Sequence, residues 1–114
     1  YKDLKTFEER CSESKYILNR FKDRIPIIVE KRRSAAQNVP TIKKKKFLAP
    51  ENLKIAELVL VIRKHLKIKS SEAIFLFINN KIPNQALLLS NVYASDAESD
   101  GFLYIVYDFE NAFG

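Results

Sequence analysis

Between Ile55 and Leu66 the apolar residues Ile55, Leu58, Val59, Ile62 and Leu66 fall at i, i+3, i+4, i+7 and i+11. That spacing lines one face of an α-helix, and such a helix persists in water only when something covers its apolar stripe. Short β-branched and aromatic runs on both sides of it can supply the cover, which makes the chain a helix laid on a sheet. With 114 residues there is material for one domain and one core.

The run RIPIIVE at Arg24 to Glu30 predicts a strand, with Pro26 at a strand end or sheet edge, where a missing N–H is tolerated. KRRSAAQNVPTIKKKK mixes turn formers with basic clusters and predicts an exposed connection. A second strand follows over Lys45 to Ala49, stopped by Pro50. IFLFIN at Ile74 to Asn79 is a continuous apolar run of the kind expected for a central strand covered on both faces. Asn79, Asn80 and Pro83 then turn the chain, a short helix covers Leu88 to Ser95, and Asp100-Gly101 leads into a last strand over Phe102 to Tyr107.

Upstream, Thr6 and Glu9 fit a capping box that opens a helix over Phe7 to Arg20, with Phe7, Cys11, Ser14 and Leu18 along one face. Residues 1–5 form a short preceding turn. Two strands, a crossing helix and a final strand returning to the middle constitute a β-grasp of the α+β class: a four-stranded mixed sheet with an N-terminal helical extension. The expected organisation is a helical subdomain over 1–22, a core over 23–109 and a flexible tail over 110–114.

Several chemistries lack their apparatus. No apolar run approaches the roughly 20 residues needed to cross a bilayer, and the charged start YKDLKTFEER is not a secretory signal, which points to a reducing, intracellular setting. One cysteine, Cys11, and one histidine, His65, give neither an internal disulfide nor a zinc site. A nucleophile pair made of those two has no local context and is set against a small packed thiol. With only Gly101 and Gly114 as glycines there is no Gly-rich phosphate loop. No enzyme activity, metal or cofactor is expected.

Charge is unevenly placed. Residues 1–69 carry 19 Lys/Arg against 8 Asp/Glu, a net +11, and residues 70–114 carry 1 against 6, a net −5. Such polarity favours acidic partners on the basic side, whether phosphate, anionic lipid or acidic peptide, without choosing among them.

FEERCSESKYI with KDRIPIIVEK, KKKKFLAPENL, IFLFINN with IP, and DGFLYIVY with a terminal FG together resemble the GABARAP family of autophagy ubiquitin-like modifiers, over about Phe7 to Gly114. The resemblance implies a ubiquitin-like β-grasp whose terminal glycine is activated as an adenylate, passed between enzyme cysteines as a thioester and joined to the amine of phosphatidylethanolamine. Gly114 is then the conjugation point and Phe113 part of the tail that the activating and conjugating enzymes grip. A deconjugating cysteine protease, a cytoplasmic location and an autophagosomal membrane location after lipidation are implied with it. A glycine suits that end because its missing Cβ leaves the carboxylate unhindered.

The same resemblance implies that cargo receptors and adaptors bring aromatic-x-x-aliphatic peptides with acidic neighbours to the edge strand Lys45 to Ala49, where backbone groups of Lys46 and Leu48 supply a ladder. A first pocket, for the aromatic residue, maps onto Glu13, Ile17, Pro26, Ile28, Lys46, Leu48 and Phe102. A second, for the aliphatic residue, maps onto Phe47, Ala49, Pro50, Leu53, Leu58 and Val61, and is roomier where Ala49 replaces the valine usual in relatives. Arg24, Lys44 and Lys45 would steer acidic flanks, or serve as a solvated face. Phe47 and Leu48, as strand neighbours, face opposite ways, so something other than the main core must cover one of them.

Two departures stand out: Lys54 occupies the place of a helix-capping threonine, and Phe109 that of a small or acidic residue. Competing readings are a β-grasp binding module that is never conjugated, a modifier joined to a protein lysine, and, more remotely, a basic nucleic-acid-binding domain stacking bases on Phe47. No nucleic acid is expected, because the aromatic residues lie in apolar strands rather than among the lysines.

Overall fold

The structure is a computed structural model and describes residues 1–110. Its elements follow the order α1 (Phe7–Arg20), β1 (Arg24–Lys31), β2 (Lys46–Pro50), α2 (Ile55–Leu66), β3 (Phe75–Phe77), α3 (Leu89–Asp96) and β4 (Leu103–Asp108). Among the described residues they build one four-stranded sheet in the order β2-β1-β4-β3. β1 pairs antiparallel with β2 and parallel with β4, and β3 pairs antiparallel with β4. A mixed sheet with a helical extension is the β-grasp expected from the order of elements.

Strand alternation divides the sheet into two faces. Ile25, Ile27 and Val29 of β1, Phe47 and Ala49 of β2, and Leu103, Ile105 and Tyr107 of β4 face α2, joining Ile55, Leu58 and Ile62 in the main core. Ile28 and Phe102 face the other way and meet Ile17 of α1, with Leu48, Tyr104 and Tyr1 packed around them.

α2 begins and ends where its apolar spacing requires. The Glu57 carboxylate accepts the N–H of Lys54 (3.0 Å), so the first turn is capped from within although Lys54 contributes no side-chain acceptor. Lys67 closes the helix in the left-handed region (φ 55°), its N–H donating to the Arg63 carbonyl.

Four expectations need correction. First, the run Ile74 to Asn79 yields only a three-residue strand, and β3 lies at the sheet edge rather than the centre. It is nevertheless buried because α2 covers one side, while the guanidinium of Arg32 sits 3.7 Å from the Phe77 ring centroid.

Second, β1 is internal, so of the two placements expected for Pro26, strand end or sheet edge, only the strand end holds. Pro26 does lie near its start, at a level where pairing with β4 has not begun, so the absent N–H removes no ladder bond. Third, β2 runs through Pro50 instead of stopping before it, since that residue's nitrogen faces the free side of an edge strand. Fourth, the connection between β1 and β2 is not simply exposed. Val39 and Ile42 are buried, and the Tyr107 hydroxyl ties them down by donating to the Pro40 carbonyl (2.6 Å) and accepting from the Ile42 N–H (2.8 Å).

Candidate functional site

α1 is held on its sheet face by polar staples more than by apolar area. The Thr6–Glu9 capping box forms, and the residues that α1 buries are Arg10, Ser14 and Ile17; of the expected stripe Phe7, Cys11, Ser14 and Leu18, Ser14 is buried, Cys11 and Leu18 are half-buried and Phe7 is exposed. Phe7 is 45% exposed. Arg10 Nε donates to Asp100 (2.9 Å) and its Nη1 to the Lys5 carbonyl (2.7 Å), while Ser14 Oγ donates to the Asp100 carbonyl.

Asp100 also receives the Tyr104 hydroxyl and the Phe102 N–H. Burial pushes its carboxyl up, but Tyr104, the Phe102 N–H and Arg10 outweigh that and hold it below the usual carboxylate range. Gly101, at φ +90°, completes the seat: a Cβ there would stand 2.3 Å from Ser14 Oγ.

Between this helix and β2 lies a cavity of about 400 Å³ lined by Ser12, Glu13, Tyr16, Ile17, Phe21, Lys46 and Leu48. Ion pairs from Glu13 to Lys46 (2.7 Å) and Lys5 (3.2 Å) cross its rim. Partial burial raises the Glu13 carboxyl, yet hydrogen bonds from Lys46, Tyr1 and Lys5 leave it below its ordinary value. Behind the lining residues Ile17 and Leu48 pack the fully buried Ile28 and Phe102, and Pro26, also buried, is the cross-strand neighbour of Leu48.

The strand beside the cavity has an open edge. The Val29 N–H donates to the Lys45 carbonyl (2.8 Å), which makes the pairs Ile27–Phe47 and Ile25–Ala49 the hydrogen-bonded ones. Lys46, Leu48 and Pro50 therefore turn their backbone polar groups away from β1. On that side the Pro50 carbonyl accepts the Leu53 N–H (3.1 Å), and the Leu48 carbonyl has a weak contact with Arg24 Nη1 at 3.4 Å.

A matching description spans nearly all of this architecture: the family profile "Autophagy protein Atg8 ubiquitin like" covers residues 9–114. The chain belongs to the Atg8 family. Autophagy-related protein 8 of Scheffersomyces stipitis is 44% identical over 114 residues, 100% of this chain and 81% of that protein. Autophagy-related protein 8e of Arabidopsis thaliana is 45% identical over 108 residues, covering 95% and 87%. The crystal structure of Trypanosoma brucei ATG8 superposes with a TM-score of 0.89 at 31% identity, covering 95% of this chain and 91% of that one. This is an autophagy ubiquitin-like protein, with partners in the autophagy machinery, and no helix among its described residues is long and apolar enough to cross a membrane.

On this Atg8 fold the expected first-pocket residues divide into those that line the cavity and those that do not. Glu13, Ile17, Lys46 and Leu48 line the cavity; Pro26, Ile28 and Phe102 lie behind its lining. Ser12, Tyr16 and Phe21 line it as well and were not anticipated. Helical spacing could have found Tyr16, one turn beyond Glu13, and Phe21, four residues beyond Ile17.

Of the second set, Phe47, Ala49 and Leu58 belong to the main core, and Pro50, Leu53 and Val61 are half-buried around it. Phe47 meets His65 edge-on at 5.0 Å between centroids, with Lys44 Nζ 4.9 Å from its ring. Lys45 pairs with Glu30 (3.3 Å), and Arg24 is exposed. His65 thus sits on the α2 side of the sheet, whereas Cys11 rides on α1 across it, so they form no pair. Phe113 and Gly114 lie outside the described residues.

Proposed function

We propose that this Atg8 chain is a substrate of conjugation rather than a catalyst, attached through Gly114 to the amine of phosphatidylethanolamine, and that its β2 edge and α1 groove capture aromatic-x-x-aliphatic peptides from cargo receptors and adaptors. The observation that carries the peptide reading is the outward-facing backbone of Lys46 and Leu48 beside an apolar cavity of about 400 Å³. An extended peptide gains affinity from a ladder along the edge and selectivity from side chains entering pockets at alternate positions. An aromatic side chain suits a cavity lined by Ile17, Phe21 and Leu48, and acidic neighbours suit Lys46, whose stem can cover a ring while its ammonium exchanges Glu13 for the ligand.

Conjugation balances without any catalytic group from this chain. The carboxylate of Gly114 displaces pyrophosphate from ATP to give an acyl adenylate; an enzyme thiolate displaces AMP to give a thioester; the lipid amine then attacks the carbonyl, releasing the thiol and leaving an amide. The chemistry belongs to the activating and conjugating enzymes, and reversal to a cysteine protease that hydrolyses the amide. Cytoplasmic and autophagosomal-membrane pools follow from the two states.

The test is incubation with those enzymes, ATP and phosphatidylethanolamine vesicles, read by mass spectrometry. An adduct that disappears on deleting Gly114 supports the proposal. Absence of any adduct with competent enzymes leaves an unconjugated binding module, and attachment to protein lysines instead of lipid identifies the other rival.

A further inference from the structure

We propose that the surface at the root of the C-terminal tail, centred on Lys67 and Lys69, docks on anionic phospholipid headgroups and so sets how the attached chain lies on a membrane. The inference rests on the reading of Gly114 as a lipid attachment point.

Several cations are already answered: Lys2, Lys5, Arg10, Arg32, Arg33, Lys45 and Lys46 each meet a carboxylate. Lys44, Lys64, Lys67 and Lys69 are exposed and form no ion pair among the described residues. Lys67 and Lys69 line a cavity of about 270 Å³ together with Phe109, the residue from which the tail departs. The acidic group in that lining is Glu72, and Glu110 follows Phe109 in the chain.

Lys67 also occupies a left-handed helix terminus (φ 55°), where glycine or asparagine would sit with less strain. Toward β2 the Phe47 ring meets His65 edge-on at 5.0 Å between centroids and has Lys44 Nζ 4.9 Å from its centre.

Chain length ties this surface to the lipid. From Phe109 to Gly114 the backbone can extend at most about 18 Å. With the glycine fixed in the headgroup layer, the tail root cannot leave the neighbourhood of the surface. The field of an anionic leaflet decays over a Debye length of about 8 to 10 Å, so turning the α2 end downward brings these lysines into it. α1 covers the opposite face of the sheet, and its groove is left open to solution. Tethering raises the local concentration of headgroups in a way no free polyanion shares, which selects a membrane over RNA or a soluble acidic protein.

The experiment bypasses the conjugating enzymes. A Gly114→Cys variant in a Cys11→Ser background is coupled to maleimide-phosphatidylethanolamine in vesicles of phosphatidylcholine with or without phosphatidylserine, and lysine acetylation rates are read by mass spectrometry. With phosphatidylserine, Lys64, Lys67 and Lys69 should be acetylated about fivefold more slowly, while the α1-side Lys15 and Lys22 keep their rates, and high salt should abolish the difference. The double variant Lys67→Glu/Lys69→Glu should lose the protection of Lys64.

Equal rates on both vesicle types, or protection that moves to Lys15 and Lys22, would overturn the proposal. So would stronger protection of the same lysines by free RNA or an acidic peptide. Failure of enzymatic conjugation at Gly114 would remove the parent reading without altering this footprint, and a uniform footprint beside efficient conjugation would remove only the orientation.

Discussion

The two faces of the sheet are built by different means. Under α2 the contacts are almost wholly apolar, with Ile27, Val29, Leu58, Ile62, Leu103 and Ile105 at most 1% exposed. Under α1 the apolar cluster is three buried residues, and attachment depends on Arg10, Ser14 and Asp100 together with the close approach of Gly101. The α2 side holds the body together; the α1 side holds a helix at a defined height above β2, leaving a cavity. Non-directional burial supplies stability, and directional bonds supply the position that a binding groove needs.

The sharpest way to break this contrast is to damage the α2 face. Ile62→Ala should cost about 2 to 5 kcal/mol in denaturant unfolding, because a fully buried side chain leaves a cavity that close-packed neighbours fill only in part. A loss below about 1 kcal/mol would mean that the two faces are not so different.

Next comes the seat of α1. Gly101→Ala combines a disfavoured φ with a collision against Ser14 Oγ and should cost about 1 to 3 kcal/mol. Its mark is local: amide hydrogen exchange should accelerate across Phe7–Arg20 while β1 and β4 stay protected.

Acid offers a gentler probe of the same staples. The folded-state carboxyls of Asp100 and Glu13 lie below their ordinary values, so what they contribute is present above about pH 4 and is lost as pH falls through the folded values. The Tyr104 hydroxyl is pushed the other way, by burial and by Asp100, so its contribution fades once pH rises above about 10, where the unfolded phenol ionises. Exchange of α1 amides should therefore quicken at both extremes before the α2 core responds. Simultaneous loss of both faces would contradict the division.

The smallest effect on stability should come from Leu48→Ala. The residue is half-exposed at the cavity wall, and truncation should cost about 1 kcal/mol or less while weakening an aromatic-x-x-aliphatic peptide about tenfold in calorimetric titration. Phe47→Ala makes a poor substitute. Phe47 belongs to the α2 core, and its loss would confound binding with unfolding.

Local signals account for what could be read from the chain. The limits Phe7–Arg20 and Ile55–Leu66 follow from the Thr6–Glu9 box and from apolar spacing, both of which act within a few residues. The buried face of α1 was only partly legible: Ser14 belongs to the expected stripe, but the burial of Arg10 depends on its ion pair with Asp100, ninety residues away. β3 read as central because an apolar run does not reveal whether a strand or an arginine covers its outer side. Within the groove, Glu13, Ile17, Lys46 and Leu48 were legible through family resemblance, whereas Ser12, Tyr16 and Phe21 depend on how α1 is rotated over the sheet.

β2 belongs to both faces at once, and this has a consequence for how such a protein can change. Along five residues, positions 47 and 49 answer to the interior and positions 46 and 48 to whatever arrives from outside. Drift at the even positions can retune the choice of partner with the scaffold intact, and drift at the odd ones can adjust durability with the choice intact. A ribbon one strand wide thus carries two separately adjustable dials, interleaved residue by residue.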